Sequence, residues 1–161
     1  DAGKQLLTML SVILTTFALV AVTMVLHIVG MVALVTAVGR RHPTAPTRFW
    51  PMTLLLIKVT WWLVLIHAAE ISIWALFFLW AGCLPDAESA LYFSGVTYAT
   101  VGYGDVVLAQ PWRMLGPIEG LTGILMCGLS TGLFFAIITR LIGTRLKGEA
   151  GNGGAPQAGE R

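Results

Sequence analysis

"YATVGYGD", residues Tyr98 to Asp105, places two glycines around a tyrosine between two strongly apolar runs, and the rest of the chain takes its meaning from that position. Consecutive carbonyls that all point one way require alternating left- and right-handed torsions, which Gly102 and Gly104 reach at little steric cost. The carbonyls of Thr100, Val101, Gly102 and Tyr103, with the Thr100 hydroxyl below, then form one rail of a ladder of oxygens. A dehydrated monovalent cation needs oxygens around it at each level, so several copies have to meet on one axis, and four is the natural number.

Upstream of this loop, Pro85-Asp86-Ala87-Glu88 reads as a helix start, with Asp86 as N-cap and Glu88 in the first turn. A short helix over 87–98 follows, "AESALYFSGVTY". The segment from Gly82 to Gln110 is too apolar for an ordinary loop and too short to cross a membrane twice, so it re-enters from one side. Non-helical backbone at membrane depth is tolerated only where protein buries it or it lines a watery path. Thr100 to Gly104 therefore line something.

The flanks are spans. Of 161 residues, 57% are hydrophobic and 11% charged, a balance that defines an integral membrane protein in contact with lipid. One apolar run extends from Leu6 to Val38 without a charge. It exceeds a hydrocarbon core of about 30 Å and is too long for a secretory signal. A second, 52–81, carries Lys58, His67 and Glu70, and a third, 111–146, carries Glu119 and Arg140 within its apolar stretch. Lys58 is expected to snorkel to the interface. Arg40, Arg41 and Arg48 follow the first span, and Arg140, Arg145 and Lys147 end the third. Both clusters belong in the cytoplasm, which puts the N-terminus and the 82–110 segment outside and the C-terminus inside. Trp50 fits an interfacial anchor.

The net charge of +2 leaves no basic stripe, which excludes nucleic acid as a partner. Cys83 and Cys127 are expected to be unpaired, since they fall at different depths. Nothing in the chain matches a nucleophile motif, a metal-ligand cluster or a phosphate loop, so no enzyme activity and no cofactor are expected. The tail over 149–161, "EAGNGGAPQAGER", is expected to be disordered. The expected organisation is an extra N-terminal helix and basic loop over 1–51, a pore unit over 52–148 and the tail.

"TVGYGD", and more broadly "ALYFSGVTYATVGYGD", resembles the selectivity-filter signature of the potassium-channel pore family, over roughly Met52 to Leu146 and in the order outer helix, pore helix, filter, inner helix. The resemblance implies an all-α membrane protein, three spans and a re-entrant loop per chain, assembled as a homotetramer that passes potassium ions through the filter at Thr100, Val101, Gly102, Tyr103 and Gly104. It further implies that Asp105 is tied to an aromatic of the pore helix. Tyr92 or Phe93 stands there, and only Tyr92 can donate a hydrogen bond; Thr97 is the expected partner of the Tyr103 hydroxyl. Alignment on the filter puts a gating hinge at Gly123, with Gly128 and Gly132 following, although small residues also let membrane helices pack closely. Ala99 stands where many members have a second threonine before the filter, and Val96 where some have a glutamate behind it.

Two competing functions are an ion-translocating subunit of a potassium uptake transporter and a non-conducting regulatory membrane protein. The single intact signature favours the channel over both. The first helix carries no arginine series for sensing voltage. Its Thr15, Thr23 and His27 share a face, expected to seam against the second helix. His27, His67 and Glu70 form either a proton-sensitive cluster that biases gating or a satisfied polar network that holds the extra helix. Glu119 is expected to face the back of the pore helix.

Overall fold

Pro51 and Pro117 each sit in the first turn of a long helix, where a missing N–H costs nothing because the first donors have no intrahelical acceptor. A computed structural model describes residues 2–41 and 48–152, with side chains over 2–40 and 48–143. Among these, the elements are α1 (Ala2–Arg41), α2 (Phe49–Trp80), α3 (Ala87–Tyr98), a single 3₁₀ turn (Trp112–Met114) and α4 (Leu115–Asn152). The second span thus begins three residues before Met52, since Pro51 is accommodated inside its first turn. The last helix starts later than expected, at Leu115, with the 3₁₀ turn covering the approach. It also continues through Asn152, into the stretch expected to be disordered; the remainder of that tail, 153–161, and the basic loop at 42–47 lie outside the described residues.

Three helices are long and apolar enough to cross a membrane, over Ala2–Arg40, Phe49–Trp80 and Trp112–Gly143. The protein is a multi-pass membrane protein. Leu6, Phe17, Trp50, Trp80 and Phe135 are among many large apolar side chains left on the outside of the chain, as expected where lipid rather than water is the solvent.

With lipid outside, helices associate through close packing and hydrogen bonds, and the seams show it. On α1, Leu19, Thr23, His27, Gly30 and Leu34 recur every three or four residues on the inward face. Trp62 Nε1–H donates to the Gly30 carbonyl at 3.0 Å, and Ile66 lies so close over Gly30 that an added Cβ would sit 2.6 Å from its Cδ1. This seam meets α4 as well as α2, which widens the expectation for Thr23 and His27. On α2, Leu55, Val59, Leu63, Ile66, Glu70, Trp74 and Phe78 make the matching inward row.

Helix α3 is wedged between α2 and α4. Asp86 caps it, accepting from Ser89 N–H at 2.8 Å, and this hydrogen bond holds the carboxyl below its ordinary range. The cap is therefore present at neutral pH and lost on acidification. Trp74, Phe78, Ala90, Phe93 and Leu115 fill the space between the helices, with the Phe78 and Phe93 rings edge-on at 5.3 Å. The α3 C-terminus at Tyr98 bonds to Glu70, ten residues before the end of α2 at Trp80. Ten residues of helix span about 15 Å, so α3 descends roughly a third of the way along α2 before the chain turns back.

Candidate functional site

At the C-terminus of α3 the chain has spent its helical hydrogen bonds, and the loop uses what remains. Thr100 N–H donates to Thr97 O at 2.9 Å, and Val101 N–H and Gly102 N–H both reach Val96 O, at 2.9 and 3.3 Å. In a trans peptide the carbonyl of one residue points opposite to the N–H of the next. The Thr100 and Val101 carbonyls therefore turn away from α3.

Left-handed torsions alternate along the loop: φ is 59° at Thr100, 55° at Gly102 and 80° at Gly104. The glycines follow from the sequence. Thr100 does not, because a β-branched residue at positive φ carries strain of about 1–3 kcal/mol and persists only where its surroundings hold it. The result is a loop with one face bonded to α3 and the other lined by unpaired backbone oxygen.

Support for the loop comes from both sides. Beyond it, the Tyr92 hydroxyl donates to Asp105 Oδ2 at 2.7 Å, and that bond holds the Asp105 carboxyl below the usual carboxylate range. Phe93 points instead into the core against Phe78. Behind it, Gly120 and Gly123 of α4 pass directly against the end of α3. A Cβ at Gly120 would lie 3.3 Å from Thr97 O, and one at Gly123 would lie 2.1 Å from Tyr98 O. Gly123 is thus a packing glycine, while nothing lies within 4 Å of a Cβ at Gly128 or Gly132. Within the chain, no hydrogen bond joins Thr97 to Tyr103, whose side chain is 71% exposed. An open groove of about 650 Å³ runs beside the loop, lined in part by Thr97, Thr100, Gly102, Gly104, Gly120 and Ile124.

Glu119 does face the pore helix. The Ser94 hydroxyl lies within bonding distance of both the Ile71 carbonyl, at 2.8 Å, and Glu119 Oε1, yet a hydroxyl has one hydrogen. A carboxyl proton on Glu119 that donates to Ser94 Oγ satisfies both contacts, and it avoids burying a bare charge at a side chain with no exposed surface. Glu119→Gln, which also offers a donor, is expected to leave thermal stability nearly unchanged, whereas Glu119→Ala costs roughly 1–3 kcal/mol by leaving buried groups unpaired. Equal losses in the two variants, read by thermal unfolding, would show that the ionised form is needed.

The three residues singled out as a polar cluster do come together. His27 Nδ1 lies 2.9 Å from Glu70 Oε1, and His67 Nδ1 lies 3.1 Å from Glu70 Oε2. Two further members had no signal in the sequence, being an ordinary tyrosine and an ordinary serine. Tyr98 donates its hydroxyl to Glu70 Oε2, and Ser130 Oγ stands 3.0 Å from His67 Nε2 and 3.4 Å from His27 Nε2. Trp74 Nε1–H closes the edge by donating to Thr23 Oγ1 at 3.1 Å. The cluster touches every long helix and the base of the loop.

A short helix held between two spans, followed by a loop of alternating torsions, is the architecture of a pore-loop membrane protein. Residues 53–140 match the family model described as ion channel, more than half of the chain, and the chain belongs to that family. Helix α1 lies outside the matched residues. Neither the curated proteins nor the solved structures compared with it include a match.

Proposed function

We propose that the chain is a potassium-selective channel, conducting passively through a pore that four copies build around one axis. The observation that carries this reading is the alternation of left-handed torsions at Thr100, Gly102 and Gly104, with the intervening N–H groups turned onto Val96. That arrangement frees the Thr100 and Val101 carbonyls, to which the continued alternation adds those of Gly102 and Tyr103, for a dehydrated cation, the device by which potassium channels select their ion. Four rails surround the ion, and the open groove beside the loop receives the neighbouring copy. Tyr92 and Asp105 brace the outer mouth. The exposed Tyr103 hydroxyl finds its partner across the contact between copies rather than on Thr97 of its own chain.

The basic residues flanking α1 and ending α4 set the orientation, with the N-terminus outside and the C-terminus in the cytoplasm. Bending of α4 during gating falls at Gly128, where no neighbour within the chain crowds it, rather than at Gly123. The polar cluster holds α1 against the pore unit and links its position to the loop through Tyr98.

Purified protein in potassium-loaded vesicles tests the reading. Potassium efflux far in excess of sodium efflux is expected; equal efflux of the two ions, or none of either, overturns it.

A further inference from the structure

We propose that His27, His67 and Glu70 form a binding site for a divalent first-row transition ion, of which zinc is the representative, with Tyr98 as the fourth ligand. The three residues offer ligand atoms that all lie within 4.8 Å of one another, in an interior where His27 and Glu70 have no exposed surface. The Tyr98 hydroxyl stands 2.9 Å from His67 Nδ1 and bonds Glu70 Oε2. A tetrahedral zinc site with bonds of about 2.0–2.1 Å has ligand-to-ligand edges of about 3.3 Å. The neighbouring pairs here, at 2.9 and 3.1 Å, are close to that already. The widest separation exceeds an edge by about 1.5 Å, a gap that ring rotation of two histidines can close.

The second layer suits a metal as the distances do. Both imidazoles turn Nδ1 toward one carboxylate and Nε2 toward one serine oxygen. If both rings carry their hydrogen on Nδ1, two Nε2 lone pairs face Ser130, which has one hydrogen to give. With the hydrogen on different nitrogens in the two rings, Ser130 donates to one Nε2 and accepts from the other, so both are partnered in the metal-free chain as well. With a metal on the Nδ1 side, both rings carry the hydrogen on Nε2, and the two lone pairs of Ser130 Oγ accept both. Metal-bound histidines are typically held through the other ring nitrogen in this way.

Chemistry selects the ion. Two imidazoles and two oxygens suit zinc and its neighbours, whereas calcium and magnesium require a shell of oxygens. On binding, Tyr98 releases its hydroxyl proton to the buffer, and a divalent ion with the Glu70 carboxylate and the Tyr98 phenolate is electroneutral, which a membrane interior favours. The ligands come from α1, α2 and α3, so the ion would pin the added helix to the base of the loop. This site stands or falls without reference to which ion the pore conducts.

The test is cobalt binding by the purified, untagged full chain in detergent, followed by visible absorption and metal analysis. One cobalt per chain with the intense bands of a four-coordinate site, displaced by zinc, is expected. Binding should vanish in the His27→Gln/His67→Gln double variant, persist in His42→Gln, the third histidine of the chain, and weaken at least tenfold in Tyr98→Phe. Absence of stoichiometric binding to the unaltered chain overturns the proposal whatever the variants do. So does binding that survives in the double variant.

Discussion

Gly102→Ala is expected to abolish potassium flux through vesicles containing the protein, with assembly unchanged by size-exclusion chromatography. The position holds φ of 55° and nothing in its own chain lies within 4 Å of where a Cβ would be, so the loss is not a clash within the chain. It is torsional: an L side chain in the left-handed region costs about 1–2 kcal/mol. In a four-fold pore the penalty applies in every copy, so the arrangement with carbonyls on the axis loses about 4 kcal/mol or more relative to a loop that has flipped. At 1.36 kcal/mol per factor of ten, the conducting population falls of order a thousandfold. Flux within a few-fold of the unaltered protein would mean that this torsion is not part of the conducting arrangement.

Gly123→Ala acts through contact instead. Its Cβ would be 2.1 Å from Tyr98 O and 2.9 Å from Tyr98 C, and the backbone it meets cannot swing aside as a flexible side chain would. Tyr98 is itself held by Glu70, so α4 must move away from α3 by about an ångström, at a cost near the upper end of overpacking, about 3 kcal/mol. Thermal unfolding in detergent reads this loss. Gly128→Ala is the comparison, since alanine is favoured over glycine in a helix by about 1 kcal/mol and the position is open. Equal destabilisation by the two changes would sink the packing account of Gly123.

These two glycines also show how much the sequence alone conveyed. Gly102 could be placed in a left-handed torsion because its neighbours in the chain demand it, and that is a local constraint. Gly123 was compatible with a hinge or with packing, and nothing within a few residues distinguishes them. The close contact that makes it a packing position is with Tyr98, twenty-five residues away in sequence. Thr100 lies between the cases: its backbone role was legible, but its positive φ was not, because a β-branched residue there runs against its own preference.

Three spans, a capped re-entrant helix at Ala87–Tyr98 and an oxygen-bearing loop after it follow from hydropathy, capping and glycine placement, each of which acts over a few turns of chain. The inward faces do not follow in the same way. Helices that are apolar nearly all round carry little record of which side meets protein and which meets lipid. Only tertiary packing chose the rotation that gathers His27, Glu70, Tyr98 and Ser130 from four helices into one cluster, and set Glu119 against Ser94. Buried polar groups must find partners, and in a membrane-spanning chain those partners lie on other helices. The loop proposed to carry the ion is written in consecutive residues, while the contacts that support it are written across the whole chain.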